Sequence, residues 1–453
     1  MHSTRRRLDR SASRALVAFC FLAAGGAAAS CSSSSSAPDT SPKDDAASDA
    51  PVEPVSDAGA DTATGPRDAA WVDVAALPIT CASSPCAKSL VTTLSAGAHD
   101  PGEGFCALLD DGTVACWGAN GAGQLGRGDS AGTIDSSKPA RVVGLSNIVT
   151  LDHTCALDKD GAVWCWGTGS FLRDDVGTST TELVPVKLDL PPVTKVGVGY
   201  ATTCALTGDS LLCWGSNADG QLSPPTDRSE YLGGPRPMAI PSGAPVRAIA
   251  VGKATLVLRE DGSLVSWGGN PPIGRVSPIF PDPFPQTAAL AGIFMTDLAD
   301  ENACATAGGT GYCWGSPVVE LERGNGSVTE RGLPAPVVTP EPIVQIATTQ
   351  NRSLETGGMQ HYRWCASSIT GAVYCWGANE SGQVGDGTQS YALAAVKVAG
   401  LPEPAAQVKT TPTATCALLT NGKVYCWGSN YNGQLGNGKT KGRSFVPVEV
   451  MLP

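Results

Sequence analysis

The sequence predicts an all-β fold, a seven-bladed propeller of four-stranded antiparallel blades. Three observations predict it. A pattern of the form Cys-Ala-Leu, turn, Cys-Trp-Gly recurs seven times, its tryptophans being Trp117, Trp166, Trp214, Trp267, Trp314, Trp376 and Trp427. Their spacings of 49, 48, 53, 47, 62 and 51 residues lie near the 50-residue period of propeller blades. The composition agrees: charged residues make up only 16%, against 54 Gly, 34 Pro and 10 Trp, a mix that suits short strands joined by turns. No segment carries helical periodicity over a dozen residues.

The elements follow in chain order. Met1–Arg14 is Arg-rich and Ala15–Ala29 is an unbroken run of apolar and small residues, the pattern of a signal peptide (1–30) and too short for a membrane span. Ala28-Ala29-Ser30-Cys31 resembles a bacterial lipobox, whose cysteine becomes the lipidated first residue, although the family usually has Leu where Ala28 stands. A rival cut after Ala29 would release a soluble protein. Residues 31–75 form a Ser-, Ala-, Asp- and Pro-rich tether that cannot bury apolar surface. As a coil of some 40 residues it would span about 35 Å. The propeller is expected over 76–453. Five Arg and one Asp leave with the leader, taking the formal charge from −11 to −15. So acidic a surface repels nucleic acid and anionic headgroups.

Within each unit the turn chemistry tests the hairpin reading. Five units place the two key positions ten residues apart, which requires a three-residue loop. These loops are Asp110-Asp111-Gly112, Lys159-Asp160-Gly161, Glu260-Asp261-Gly262, Ile369-Thr370-Gly371 and Thr420-Asn421-Gly422. Gly stands third each time, at the left-handed position of a type I turn with a bulge. Two units place them nine apart, with the two-residue loops Gly208-Asp209 and Gly308-Gly309, which suit the primed turns of short hairpins. Facing cysteines at non-hydrogen-bonded sites are close enough to bond. The expected pairs are Cys106–Cys116, Cys155–Cys165, Cys204–Cys213, Cys304–Cys313, Cys365–Cys375 and Cys416–Cys426. The fourth unit has Leu256 and Ser266 there, lacking both cysteines at once. Cys81 and Cys86 would close a small extra loop. Zinc needs four converging ligands, which uniform pairs on separate blades do not provide.

The run Trp117-Gly118-Ala119-Asn120-Gly121-Ala122-Gly123-Gln124-Leu125-Gly126 has relatives at Trp214–Leu222, Trp376–Gly385 and Trp427–Gly436. This pattern resembles the regulator of chromosome condensation repeat family over roughly residues 85–453. The resemblance implies a circular seven-bladed propeller. Units two, four and five depart from it at Gly167-Thr168-Gly169, Asn270-Pro271-Pro272 and Ser316-Pro317, where the Gly-Gln-Leu-Gly part is lost. The founding member's nucleotide exchange on a nuclear GTPase and its chromatin binding do not carry over to an exported, acidic, disulfide-bonded chain.

The repeat tryptophans are read as blade packing, and His99 and His153, just before Cys-Ala-Leu strands, as structural hydrogen-bonding groups. No nucleophile motif, metal-ligand cluster or phosphate-cradling loop is present, so the chain is expected to be no enzyme, to need no cofactor and to act as a monomer. Function in such a scaffold resides in loops that depart from the repeat. His99, Asp100 and Glu103 of unit one, and Arg352, Glu355, His361 and Tyr362 of the unit-six insertion, are expected to share one rim. Phe280 and Phe284, in the Pro-rich stretch 271–285 of unit four, are a further candidate. The expected role is a binding propeller at the cell envelope with a protein partner; the alternative is a glycan- or polymer-binding module.

Overall fold

The computed structural model describes residues 74–453 except 95–102, 129–131, 174–178, 223–230, 316–331, 350–351, 354–358 and 361–362. Seven four-stranded antiparallel sheets follow one another along the chain, each in simple strand order. Blade one comprises Ala87–Thr92, Gly104–Leu109, Val114–Gly118 and Ser136–Arg141, and blade seven Ala405–Thr410, Ala414–Leu419, Val424–Ser429 and Arg443–Glu449. Every blade is thus built from one continuous stretch, and no strand is lent across the ring closure. An extra two-stranded pair, Arg352–Ser353 with Met359–Gln360, lies within the unit-six insertion.

The hairpin register is the expected one. Cys106 faces Cys116, Cys155 faces Cys165, and so on around the ring, with Leu256 opposite Ser266 in blade four. All six expected hairpin disulfides form, at Cα–Cα distances of 4.0–4.1 Å, and Cys81 bonds Cys86 as well.

The core lies between blades. Blade one, through Leu90, Phe105 and Trp117, packs on Ala414, Leu418 and Leu435 of blade seven, and similar clusters fill the other interfaces. The seven repeat tryptophans are all buried. Their indole N–H groups explain the Gly-Gln-Leu-Gly run. Trp166 Nε1 donates to the Gln124 carbonyl of the preceding blade (2.8 Å), Trp267 to Gln221 (2.6 Å) and Trp427 to Gln383 (2.9 Å). Trp117 of blade one donates to Gln434 of blade seven (3.0 Å), which closes the ring.

Two of the three departures from the repeat resolve here. In blade four the loop is two residues shorter, yet Pro272 supplies the carbonyl for Trp314 Nε1 (2.8 Å), Ile273 is buried, and Gly274 takes a positive φ beside that indole. The repeat's architecture therefore survives in Pro-Ile-Gly, contrary to the sequence expectation. In blade two the third strand runs on as Val163–Arg173 and pairs with Ser179–Lys187, so a long hairpin replaces the loop. The third, Ser316-Pro317, lies outside the described residues.

The turn glycines have a second duty. The Gly371 carbonyl accepts from Ala405 N–H at the start of the next blade (2.8 Å), and Ala87 N–H donates to Gly422 in the same way across the closure (2.9 Å). A Cβ on Gly371 would lie 2.4 Å from Pro404, and its φ of 78° disfavours a side chain independently. Before blade one, Val74, Leu77 and Cys86 lie in order against Gly309, Gly371 and Gly422, and Thr80 N–H donates to Thr420 O (2.7 Å). Residues 74–86 thus strap the hairpin turns of blades five, six and seven.

Candidate functional site

Because the blade walls are consumed by packing, chemistry is left to the ring axis and to the irregular loops. A cavity of about 210 Å³ lies on the axis, lined by first-strand residues of all seven blades. Those strands have one edge unpaired within their own sheets, and buried N–H groups along such an edge need acceptors. Side chains of the preceding blade supply them. Asp152 accepts from Val198 N–H (2.7 Å), Asp297 from Thr348 N–H (2.9 Å), Gln345 from Val408 N–H (2.8 Å) and Gln407 from Leu90 N–H (2.9 Å).

The residues that pair with the first cysteine position of each hairpin are Val91, Asp152, Gly197, Ala250, Asp297, Ala347 and Lys409. Three of them carry charge. Lys409 Nζ reaches from blade seven to Asp297 Oδ1 of blade five at 3.0 Å, past the small Ala347. Burial pushes the Lys409 ammonium down, but the Asp297 and Asp152 carboxylates outweigh it and raise its pKa. Burial pushes the Asp152 carboxyl up, against the pull of His153, the Val198 N–H and Lys409. His153 holds its Nδ1 3.0 Å from the Thr92 carbonyl of blade one, the structural bond expected of it. At the mouth, Lys253 pairs with Glu301 and lies 4.0 Å from Asp300; burial raises the carboxyl pKa of both Asp300 and neighbouring Asp219. Among the described residues no group of three His, Cys, Asp or Glu is placed to hold a metal.

The blade-four loop is the second irregular feature. Arg275 and Asp282 form a buried ion pair at 2.7 Å beneath it. Burial pushes the Asp282 carboxyl up, yet hydrogen bonds from Arg275, Ser277 and the Phe284 N–H hold it below the ordinary carboxylate range. Arg275 also donates to Phe284 O (2.9 Å), and Asn270 to the carbonyls of Ser277 and Ile279 (both 3.3 Å). The pinned loop turns apolar side chains outward: Val276 is 81% and Phe280 79% exposed, with Ile279 and Phe284 exposed beside them. A Cβ on Gly220 would sit 3.1 Å from Pro283, so the Asp219–Gly220 turn of blade three adjoins this loop.

The structure separates the sequence candidates. Phe280 and Phe284 are exposed as expected. Glu103 is not on an exposed rim: it is 1% exposed, and its carboxylate accepts a hydrogen bond from Thr411 Oγ1 of blade seven. It sits where the chain enters the second strand, so the exposed-rim placement expected of it does not hold. Arg352 lies in the short strand pair, where only its backbone is described. His99, Asp100, Glu355, His361 and Tyr362, like Cys31, lie outside the described residues. Asp152, Asp297 and Lys409 were missed because the first connection varies in length: Asp152 precedes its cysteine by three residues and Lys409 by seven, so no fixed spacing marks the ring they share.

Comparison with known proteins agrees with this architecture. The pattern of the regulator of chromosome condensation (RCC1) repeat matches residues 111–157, and a second pattern of that description matches 151–171, 193–221 and 411–434. The chain is 28% identical over 381 residues to the ultraviolet-B receptor UVR8 of Arabidopsis thaliana, covering 79% of this chain and 81% of the receptor. It is 36% identical over 130 residues to the human regulator of chromosome condensation, covering 28% of each. Among solved structures, Saccharomyces cerevisiae Prp20p superposes with a TM-score of 0.60 at 19% identity, covering 76% of this chain and 87% of Prp20p. Human WBSCR16 does so with 0.60 at 18%, covering 75% and 94%. The chain is a seven-bladed propeller that carries regulator of chromosome condensation repeats over residues 111–171, 193–221 and 411–434.

Proposed function

We propose that the chain is a non-catalytic binding propeller, exported and held at the cell envelope by lipid on Cys31, whose partner is a protein received at the blade-four loop. The observation that carries this reading is the exposed Val276–Ile279–Phe280–Phe284 surface on a loop fixed from beneath by Arg275 and Asp282. Exposed apolar side chains on a rigid support are the usual core of a protein interface. Aliphatic Val276 and Ile279 neither stack on sugar rings nor bond hydroxyls, so the surface favours protein over glycan. Acidic Asp219, whose turn adjoins the loop, favours a partner whose apolar patch is bordered by Lys or Arg. Prp20p, which shares the fold, is characterised by its binding to Gsp1p and histones, an example of this architecture serving protein recognition. The seven disulfides suit an oxidising compartment.

The test is crosslinking and recovery of partners from intact cells with wild type and with Val276→Ser plus Phe280→Ser. Recovery is expected to fall by about tenfold or more with the melting temperature unchanged, since neither side chain is packed. Undiminished recovery, or recovery of polysaccharide only, overturns the reading. Anchoring is tested separately. Cys31→Ala is expected to move the protein from the membrane pellet to the soluble fraction; wild type already soluble, with Ser30 as its first residue, would refute the lipid anchor.

A further inference from the structure

The axial cavity holds an internal comparison. Asp152 and Asp297 occupy the same strand position in blades two and five, each opposite the first cysteine of its hairpin. Each gives one carboxylate oxygen to the N–H of the next blade's first strand. The other oxygen of Asp297 meets a cation, Lys409 Nζ, at 3.0 Å. The other oxygen of Asp152 has no Lys or Arg partner among the described residues, and His153 Nε2 stands 4.0 Å from it. Asp152 lines the cavity and keeps 30% of its side-chain surface open. With Asp300 also in the lining, three carboxylates face one lysine, a formal charge of −2.

We propose that the axial cavity is a binding site for a small primary amine, whose ammonium bonds Asp152 as Lys409 bonds Asp297. A carboxylate taken out of bulk water with one oxygen lacking a cation calls for a ligand with N–H donors. A divalent metal is disfavoured because among the described residues no group of three acidic, cysteine or imidazole ligands converges. A quaternary ammonium is disfavoured because among the described lining residues Tyr200 is the only Phe, Tyr or Trp, which is no cage. An anion is disfavoured because Lys409 is already neutralised. A cavity of about 210 Å³ has room for small amines such as ethanolamine or 1,4-diaminobutane. This site is separate from the blade-four surface, so either reading can fail alone.

Calorimetric titration of the folded protein with ethanolamine and with 1,4-diaminobutane tests it, tetramethylammonium and acetate serving as controls. Both amines are expected to bind and the controls not to. Asp152→Asn keeps an acceptor for Val198 N–H and removes only the charge, so amine affinity should fall by about tenfold or more. Lys409→Met frees Asp297 and should strengthen diamine binding by about tenfold. If either variant fails to fold, thermal stabilisation of wild type by the amines, absent with tetramethylammonium, supports the site on its own. No binding of either amine by wild type, equal binding by Asp152→Asn, or equal stabilisation by tetramethylammonium overturns it.

Discussion

Full reduction of the seven disulfides is expected to unfold the propeller under conditions where the oxidised chain is stable. Each hairpin bridge closes a loop of nine or ten residues, worth about 2–3 kcal/mol in the chain-entropy account. Together the bridges reach the order of 15 kcal/mol, as large as the whole stability of an ordinary domain. The loss should come in two steps. Cys81 is partly exposed, whereas the twelve hairpin cysteines are buried, so Cys81–Cys86 should be reduced first with the circular dichroism spectrum unchanged. The remaining six should then open with cooperative unfolding. Thiol counting alongside circular dichroism in graded reductant reads both steps. A fully reduced chain that keeps its spectrum and melting temperature would show that blade packing alone sustains the fold.

The second large effect is expected at Arg363. It opens the second strand of blade six opposite Gly377, where blade one has Gly104 and blade seven Ala414. Its guanidinium is buried and ties blade six to blade seven. It donates to the carbonyls of Thr411 (2.6 Å), Ala414 (2.9 Å) and Gln383 (3.3 Å) and to Thr415 Oγ1. Burial pushes its pKa down to about 9, with the field of buried Glu103 opposing. Arg363→Met would leave those carbonyls short of donors and Glu103 without its nearby cation. Removing one partner of such a buried network costs about 3–5 kcal/mol, a fall in melting temperature of roughly 5 °C for a propeller of this size. Arg363→Lys should recover only part, because one ammonium cannot span acceptors on two sides of a planar fork. A melting temperature for Arg363→Met within 2 °C of wild type would mean that the network contributes little.

What was legible in the sequence is what local chemistry dictates. The third-position glycines, the switch between two- and three-residue turns, and the paired absence of cysteine at Leu256 and Ser266 specify each hairpin's register within about ten residues of chain. From that register the six disulfides follow, and from seven such units at one period follows the propeller. The Pro-rich stretch was legible only in part: Phe280 lies in the connection, but Phe284 lies within Asp282–Thr287, the fourth strand of blade four. Tertiary structure decided the rest. Only the closed ring carries Trp117 to the Gln434 carbonyl and Glu103 into the interior beside Thr411, contacts between residues more than three hundred positions apart. Only the ring brings Asp152, Asp297 and Lys409 around one axis, from blades two, five and seven. Hairpin register is set by turn geometry and strand pairing, which act over a few residues. Which charges share a cavity depends on how whole blades pack, and connections of variable length erase that relation from the spacing of the chain.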